Sequence, residues 1–468
     1  MTLIRSISGI RGTIGGAPGT GLTPIDVVRY TAAFGSLMLR QATPGSRPCM
    51  VVGRDARVSG PMVRDLVAGT LTGLGIDVVD LGLAATPTVE MAVPGEGAVG
   101  GIILTASHNP GQWNALKLLN SAGEFISAQE GAEVLAMAEA NATEFAPVDM
   151  LGTVRTATHW TERHIAAILA LDLVDADAIR KAGLRVVVDA VNSVGGICVP
   201  PLLEALGVTT IPIHCTPDGH FPHNPEPLPE HLNDLMQAVV KNGAHLGIAV
   251  DPDVDRLALV CEDGTLFGEE YTLVACADHV LAHRPGDTVS NLSSTRALDD
   301  VAIRHGRKRH TSAVGEVNVV AQMKAVGAAI GGEGNGGVIL AELHHGRDAL
   351  VGIALFLTRL VHHGGSCSEL RRTYPDYFIS KNKIDLREGM DVQALVDAVG
   401  RRHRDHPQST IDGLRIELGH TWVHLRRSNT EPIVRVYAEA PTKAEADALA
   451  GRFLNELREL ADAPADQR

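Results

Sequence analysis

Residues 99–110 read Val-Gly-Gly-Ile-Ile-Leu-Thr-Ala-Ser-His-Asn-Pro, an apolar run that ends in a turn of small and polar residues. The run Val99–Leu104 predicts a buried strand, and Pro110 biases the residue before it away from helical geometry. Open α/β sheets place their reacting groups where strands end. We therefore expect Ser107 at the strand's end with its hydroxyl exposed, as a nucleophile, a phosphate carrier or a hydrogen-bonding turn residue.

Length and charge limit the kinds of protein this can be. The chain has 468 residues, which favours roughly three or four domains. Its net charge of −14 and its aromatic content of 3% disfavour binding to nucleic acid or to an anionic membrane. An anionic substrate would need a local basic pocket within this acidic chain.

The six cysteines and the first residues predict the compartment. No cysteine pair has Cys-x-x-Cys spacing, which is typical of reduced thiols in a cytoplasmic protein. The first sixteen residues are rich in polar residues and glycine, unlike a secretory signal. No apolar run approaches the ~20 residues of a membrane span. We expect a cytoplasmic protein that does not enter a membrane.

Strand-like and helix-like segments alternate for most of the chain, which predicts an α/β protein of parallel sheets covered by helices. The last hundred residues instead predict an α+β unit with antiparallel pairing, including a strand over Thr410–Leu418. The predicted domains are residues 1–150, 151–263, 264–376 and 377–468.

A cluster of acids lies between two apolar runs: Asp251-Pro-Asp253-Val-Asp255-Arg256. In an extended chain these three carboxylates would point to one side, where a hard divalent cation such as Mg²⁺ would relieve their repulsion. The neighbouring Arg256 could hold a phosphate oxygen. An EF-hand is disfavoured, because Arg256 stands where its loop needs glycine. A solvated acidic turn is the other alternative, and leaving these acids unpaired between buried strands would be costly.

Two further loops suit a sugar phosphate. The glycine-rich run 331–337 allows close backbone approach, and Glu333 and Asn335 could bracket sugar hydroxyls, although a plain hairpin turn has the same pattern. The run Arg426-Arg-Ser-Asn-Thr-Glu-Pro432, followed by Arg435, offers cations, hydroxyls and an amide to a phosphate. A solvated basic turn is the alternative there.

Three smaller signals accompany these loops. Arg11 lies between glycines, which is unusual at a plain surface. Arg54, Asp55 and Arg57 follow a predicted strand and favour a structural salt bridge. Lys117 lies ten residues beyond Ser107 and could transfer protons or hold phosphate, or be solvated.

Taken in order, these four loops resemble the α-D-phosphohexomutase family over nearly the whole chain. The resemblance implies four domains around a deep cleft, the first three α/β and alike and the fourth a smaller mobile cap. It implies a phosphoserine at Ser107 and a Mg²⁺ site formed by Ser107, Asp251, Asp253 and Asp255. Arg256 would steady the phosphate. The remaining site residues implied are Arg11, His108 and Lys117 for phosphoryl and proton transfer, Glu333 and Asn335 for the sugar, and Arg426, Ser428, Asn429, Thr430 and Arg435 for the non-reacting phosphate.

The chain departs from the family pattern at several positions. Pro252 and Asn429 stand where glycine is commoner, and Gly337 stands where many members have histidine, so the role of that histidine as a base would fall to His344 or His345. The Ser-Gly-Ile-Arg-Gly start at residues 8–12 and this variant sugar loop look most like the phosphoglucosamine mutase branch of archaeal type.

The expected function is interconversion of glucosamine 6-phosphate and glucosamine 1-phosphate through a hexose 1,6-bisphosphate, which in trace amounts is also the activator. The expected partners are a hexose phosphate and Mg²⁺, in a monomer or homodimer. Phosphomannomutase or phosphoglucomutase activity, a phosphatase or kinase, and a non-catalytic sugar-phosphate-binding protein are the alternatives.

Overall fold

A computed structural model describes residues 2–6, 9–43, 45, 47–141, 143–385, 391–427 and 433–462. The strands of these described residues form four separate sheets, one in each of four successive units of the chain. Within the same ranges, no helix combines the length and the hydropathy that crossing a membrane requires.

The first sheet contains seven strands. They are β1 (Ile4–Ser6), β2 (Gly9–Thr13), β3 (Cys49–Arg54), β4 (Asp77–Leu83), β5 (Gly100–Leu104), β6 (Trp113–Leu119) and β7 (Val154–Thr156). The helices are α1 (Pro24–Gln41), α2 (Gly60–Gly73), α3 (Thr86–Gly95) and α4 (Ala128–Ala140). The strand order is β1-β2-β6-β5-β3-β4-β7. The strand β7 belongs to this sheet although it lies beyond residue 150, the predicted end of the first domain. All of β5 is buried, as expected of a parallel strand covered on both faces.

The second and third sheets share one plan, in which three parallel strands are followed by an antiparallel edge strand. The second unit contains α5 (Trp160–Leu169), α6 (Ala176–Ala182), β8 (Arg185–Asp189), α7 (Gly195–Ala205), β9 (Thr209–Ile213), α8 (Asn233–Lys241), β10 (Leu246–Val250) and β11 (Leu257–Cys261). The third contains α9 (Glu269–His283), β12 (Thr288–Asn291), α10 (Ala297–Arg304), β13 (Arg309–Ser312), α11 (Glu316–Val326), β14 (Ile330–Glu333), β15 (Gly337–Leu340), α12 (Ala349–His363) and α13 (Cys367–Arg371).

A single apolar core runs through the second and third units. The apolar helix α12 lies within it, and nearly all of its first ten residues are fully buried. Main-chain hydrogen bonds cross between the units, from Leu257 N–H to the carbonyl of Gly336 at 3.1 Å and from Ala349 N–H to that of Val254 at 3.1 Å. The acidic loop and the glycine-rich loop are therefore held in one body.

The fourth unit has its own core and an antiparallel sheet in the order β16-β20-β19-β18-β17. Its elements are β16 (Phe378–Asp385), α14 (Val392–Arg402), β17 (Gln408–Ser409), β18 (Leu414–Leu418), β19 (Thr421–Arg427), β20 (Ile433–Ala440) and α15 (Lys443–Asp462). The predicted α/β organisation with a C-terminal α+β unit is confirmed. The single strand predicted over Thr410–Leu418 is wrong, because the chain turns at Gly413, which has φ +73° and lies against the carbonyl of Leu425.

Candidate active site

The loop after β5 is held by one buried arginine. The Arg57 guanidinium donates to the carbonyl oxygens of Ser107, Asn109, Pro110 and Trp113 at 2.5–3.0 Å. Its Nε also donates to the Asp55 carboxylate at 2.9 Å, and both side chains are fully buried. The predicted salt bridge is present, and its function is to fix the shape of the Ser107 loop.

Ser107 is buried, so the prediction of an exposed hydroxyl is wrong. Only 7% of the residue is accessible, because the acidic loop of the second unit closes over it. Its Oγ donates to Oδ2 of Asp251 at 2.7 Å, and its backbone has φ +48°, a strained value for serine. The hydroxyl is thereby aimed at the carboxylate cluster.

The acidic loop itself is a tight turn, which corrects the extended geometry expected for it. Val254 has φ +62°, and Oδ1 of Asp251 accepts from the backbone N–H groups of Asp255 and Arg256 at 3.1 Å. The turn still brings the carboxylates together, since one oxygen from each of Asp251, Asp253 and Asp255 lies within 4.8 Å of the others. All three residues are fully buried.

The charges of this cluster shift the pKa values of Asp251 and Lys117. Burial, with Asp255 and Asp253 adding to it, raises the pKa of Asp251 well above its usual range. Burial would also lower the pKa of Lys117, but Asp253 at 2.6 Å and Asp255 at 3.3 Å outweigh it and raise that pKa. Lys117 is therefore a fixed positive charge, not a solvated one.

The donor set fits a hard divalent cation. Three buried carboxylates converge, and Oδ1 of Asp253 and Oδ1 of Asp255 have no hydrogen-bond partner among the described residues. Unpartnered buried carboxylate oxygens are costly, and a cation bound by oxygen ligands would remove that cost.

Three other predicted residues surround Ser107. Nδ1 of His108 lies 3.4 Å from Oγ of Ser107, and burial together with the charge of Arg256 lowers the pKa of His108 to about 3. Arg11 acts on the same ring electrostatically, and its own buried Nε has no hydrogen-bond partner in the part of the chain that the structure describes. Nη1 of Arg256 lies 3.4 Å from Glu226, while its Nε, 3.9 Å from Asp255, makes no hydrogen bond to any described residue. Two arginines thus carry unused donors near the serine.

The glycine-rich loop is the turn of the β14–β15 hairpin, and Arg347 joins it to the acidic loop. The Arg347 guanidinium contacts Asp255 at 2.7 Å, Glu316 at 3.0 Å and Glu333 at 3.1 Å. A Cβ at Gly337 would lie only 2.4 Å from Cδ of Arg347, so this arginine fills the space of a side chain at position 337. Sequence reasoning missed Arg347, because nothing local in the run before α12 shows that it reaches the acidic loop.

Glu333 is already well held. Its Oε1 accepts from Nδ2 of Asn291 at 2.9 Å and from the N–H of Gly315 at 3.0 Å, and Oε2 faces Arg347. Asn335 is half-buried at the tip of the hairpin. The two candidate sugar-binding residues therefore differ: Glu333 is buried and fixed, whereas Asn335 is half-buried and its Oδ1 accepts only a 3.3 Å hydrogen bond from the N–H of Gly337.

His344 and His345, the candidates for the role of a histidine at position 337, lie in different surroundings. Nε2 of His344 is 3.4 Å from Asp348 and its Nδ1 is 3.4 Å from Glu90, whose buried carboxylate has no hydrogen-bond partner among the described residues. His345 instead faces Glu124 at 3.9 Å. Neither contact joins Ser107 or the acidic loop.

The basic loop of the fourth unit is described only at its flanks, since Ser428, Asn429 and Thr430 lie outside the described residues. Arg426 and Arg435 stand directly opposite each other on β19 and β20. Lys383 on β16 is in turn opposite Arg435, so three cations form a row across three strands. Arg426 also contacts Asp412 at 3.3 Å. Lys383 was missed because only strand register places it in this row.

Comparison with known proteins covers the same four units. Family models of phosphoglucomutase/phosphomannomutase match in order: alpha/beta/alpha domain I at residues 3–145, domain II at 162–264, domain III at 268–377 and the C-terminal domain at 382–456.

Individual relatives agree with these matches. A phosphoglucomutase/phosphomannomutase of Thermococcus kodakarensis is 35% identical over 93% of this chain and 95% of its own length. A probable phosphoglucosamine mutase of Methanopyrus kandleri is 33% identical over 96% and 97%. The crystal structure of a phosphoglucomutase/phosphomannomutase family protein from Burkholderia thailandensis superposes with a TM-score of 0.85 at 27% identity, covering 98% of this chain and 99% of that one. With a buried serine, an acidic triplet and four matching domains, this chain belongs to the phosphoglucomutase/phosphomannomutase family and is a phosphohexomutase.

Proposed function

We propose that this phosphohexomutase interconverts glucosamine 6-phosphate and glucosamine 1-phosphate, with Ser107 as the phosphoryl carrier. The observation that carries the role of Ser107 is its Oγ, 2.7 Å from Asp251 at the edge of three buried carboxylates. Phosphoryl transfer depends on positioning and on charge neutralisation, and both are built around this oxygen.

Asp251, Asp253 and Asp255 would hold Mg²⁺ together with the phosphorylated Ser107. When bound, Mg²⁺ supplies electrostatic stabilisation of the charge on the phosphoryl oxygens. Arg256 and Arg11 would supply further donors to the same oxygens, a role supported by their buried Nε atoms, which have no hydrogen-bond partner among the described residues.

In the first step the Ser107 Oγ–P bond breaks and a P–O bond forms to the free hydroxyl of the bound hexose monophosphate. The proton of that hydroxyl ends on the Ser107 oxygen that the cleavage frees, so the step neither gains nor loses a proton overall. His108 is the candidate for handling the proton, because its Nδ1 is 3.4 Å from Oγ. The product is a 1,6-bisphosphate, which turns round and returns its other phosphoryl group to Ser107.

Reorientation requires that the distal phosphate be held without regard to which end of the sugar carries it. The row of Lys383, Arg435 and Arg426 is suited to that purpose, since it recognises charge and not a particular hydroxyl. Ser428, Asn429 and Thr430 would complete the grip. A hexose 1,6-bisphosphate in trace amounts would prime unphosphorylated Ser107.

Support for the amino sugar comes from the hairpin 331–337 and from one relative. Asn335 offers an amide oxygen to a sugar ammonium beside the fixed negative charge of Glu333, and the Methanopyrus kandleri relative is named a probable phosphoglucosamine mutase. The Thermococcus kodakarensis relative favours a second candidate, phosphoglucomutase/phosphomannomutase activity. The deciding measurement is kcat/KM for glucosamine, mannose and glucose 6-phosphates, each with a trace of its own bisphosphate. A preference for either neutral sugar would reject the amino-sugar proposal.

Ser107→Ala tests the carrier. We expect mutase turnover to fall by at least roughly 1,000-fold, because no neighbouring group replaces a lost nucleophile. The thermal midpoint should stay near that of the parent, and Ser121→Ala, at an exposed serine, should keep full activity. Mass spectrometry of the cycling parent should detect phosphate on residue 107. Near-normal turnover of Ser107→Ala would reject this role.

A further inference from the structure

A second cluster of metal-binding side chains lies in the second unit and shares no residue with the acidic loop. Asp189 ends β8 and His214 follows β9. His223 lies further along, in the proline-rich loop 217–229. Oδ2 of Asp189 is 3.1 Å from Nδ1 of His214 and 3.0 Å from Nε2 of His223. The three ligand atoms all lie within 4.8 Å of one another.

The hydrogen bonds around His223 leave a conflict between two acceptors. Its Nδ1 lies 2.8 Å from the carbonyl oxygen of Asn224, and a carbonyl only accepts, so Nδ1 carries the proton. In the neutral ring Nε2 then presents a lone pair to the carboxylate of Asp189. Either a second proton or a metal cation must lie between these two acceptors.

We propose that Asp189, His214 and His223 bind a transition-metal ion of the zinc type. Ligand bonds of about 2.0–2.2 Å in a tetrahedral site place neighbouring ligand atoms about 3.3–3.6 Å apart, a few tenths of an ångström beyond the 3.0 and 3.1 Å that separate Asp189 from the two histidines. Two imidazoles and one carboxylate suit Zn²⁺, whereas Mg²⁺ prefers oxygen ligands alone.

The surroundings also fit a three-ligand site with one open position. The side chains of His214 and His223 are 22% and 17% exposed, which leaves room for a water as fourth ligand. Each imidazole has an outer partner on its other nitrogen: Asp234 lies 3.7 Å from Nε2 of His214, and the carbonyl of Asn224 fixes His223. Such outer partners are typical of histidines that ligate metals.

The ion would tie the proline-rich loop to the sheet close to the reaction centre. Phe221 and Glu226 belong to the same loop, on either side of His223. The guanidinium of Arg57 lies over the ring of Phe221, 5.1 Å from its centroid. Glu226 contacts Arg256 at 3.4 Å. Metal at this site would therefore hold in place the loop that touches both arginines.

The test is Co²⁺ binding to the full chain in the presence of millimolar Mg²⁺, which occupies the all-oxygen acidic loop. We expect one equivalent of Co²⁺ with the visible absorption of a four-coordinate site, displaced by Zn²⁺, and a higher thermal midpoint with Zn²⁺. The variants are His223→Gln, which keeps the shape of the side chain, and His214→Asn, which tolerates the φ of +49° at that position. The matched control is His220→Gln, an exposed histidine of the same loop.

Losing an outer partner alone weakens metal binding roughly 10–100-fold, so loss of a ligand should weaken it at least as much. His220→Gln should bind as the parent does. The metal-free midpoints of all variants are measured first, and Asp189→Asn serves as a second variant if His214→Asn fails to fold. Absence of Co²⁺ binding in the parent, or equal binding in His223→Gln and His220→Gln, would overturn the proposal and assign a proton to the position between His223 and Asp189.

Discussion

At the scale of single residues, the buried arginines decide how the reaction centre is shaped. Arg57 fixes the Ser107 loop through four carbonyl oxygens, and Arg347 links Asp255 to Glu333. Both guanidiniums are fully or nearly buried and paired with carboxylates. A planar fork of five donors can satisfy several fixed acceptors at once, which a lysine ammonium cannot.

Arg57→Lys should therefore disturb catalysis without touching the substrate. We expect kcat to fall by roughly 100-fold with KM little changed, because a small displacement of the Ser107 loop suffices for such a loss. Steady-state kinetics measure both constants. Arg54→Lys is the control, since Arg54 donates to the carbonyl of Asp55 and not to the Ser107 loop. A parent-like kcat in Arg57→Lys would show that the loop keeps its shape without the guanidinium.

At the scale of secondary-structure elements, strand register creates features that no short motif contains. The register of β16, β20 and β19 places Lys383, Arg435 and Arg426 side by side. Like charges directly opposite each other destabilise a sheet, and a bound phosphate offsets that cost.

Removing one cation of this row should weaken substrate binding more than it slows chemistry. For Lys383→Gln and Arg435→Gln we expect KM to rise roughly tenfold, the loss of about 1.4 kcal/mol of charge-assisted binding. Lys443→Gln removes the same charge from the exposed start of α15 and should leave KM unchanged. If the control and the row variants gave equal KM values, the row would have no part in holding phosphate.

The contact between the third and fourth units adds a pH dependence. His424 on β19 shares a hydrogen bond with Ser293 at 2.9 Å and donates to the carbonyl of Asp412 at 2.6 Å, and burial lowers its pKa from 6.5 to about 4. Between these two pH values the unfolded chain binds more protons than the folded one, so stability is complete above pH 6.5 and falls as the pH drops toward 4.

We expect the midpoint of the transition that unfolds the fourth unit to fall with decreasing pH in that window. The free energy lost is at most about 1.4 kcal/mol per pH unit. His424→Gln should flatten this dependence, whereas His420→Gln, at an exposed turn, should not. Thermal scans from pH 7 to pH 4 measure these midpoints. Equal slopes of midpoint against pH for the parent and His424→Gln would refute the role of His424.

At the scale of the whole molecule, the cores are distributed unevenly. The second and third units share one continuous core, whereas the fourth has its own. A shared core keeps the acidic loop and the hairpin 331–337 in fixed relation. The fourth unit has a core of its own and meets the third through polar contacts, such as Arg415 to the carbonyl of Leu292 and His424 to Ser293.

Substitutions in the two cores should show which units unfold together. Leu357→Ala in α12 removes a fully buried side chain, a loss of about 2–5 kcal/mol, and should speed hydrogen exchange in both β10 and β14. Phe453→Ala in α15 is equally buried and should speed exchange in β19 and β20 alone. Faster exchange in β10 without any change in β14 would mean that the second and third units open separately.

The amino-acid sequence by itself determined the order of the units, the four candidate loops and the family, because each of these depends on short runs of neighbouring residues. The apolar runs before Ser107, Asp251 and Glu333 already indicate strands, and each strand brings its residue to the edge of its own sheet. Only the tertiary structure decided that Ser107 is buried under Asp251, that Arg57 and Arg347 hold the loops, and that Lys383 joins a basic row. Those contacts join residues from about 50 to more than 140 positions apart, and no local pattern reports a contact that exists only once the units have packed.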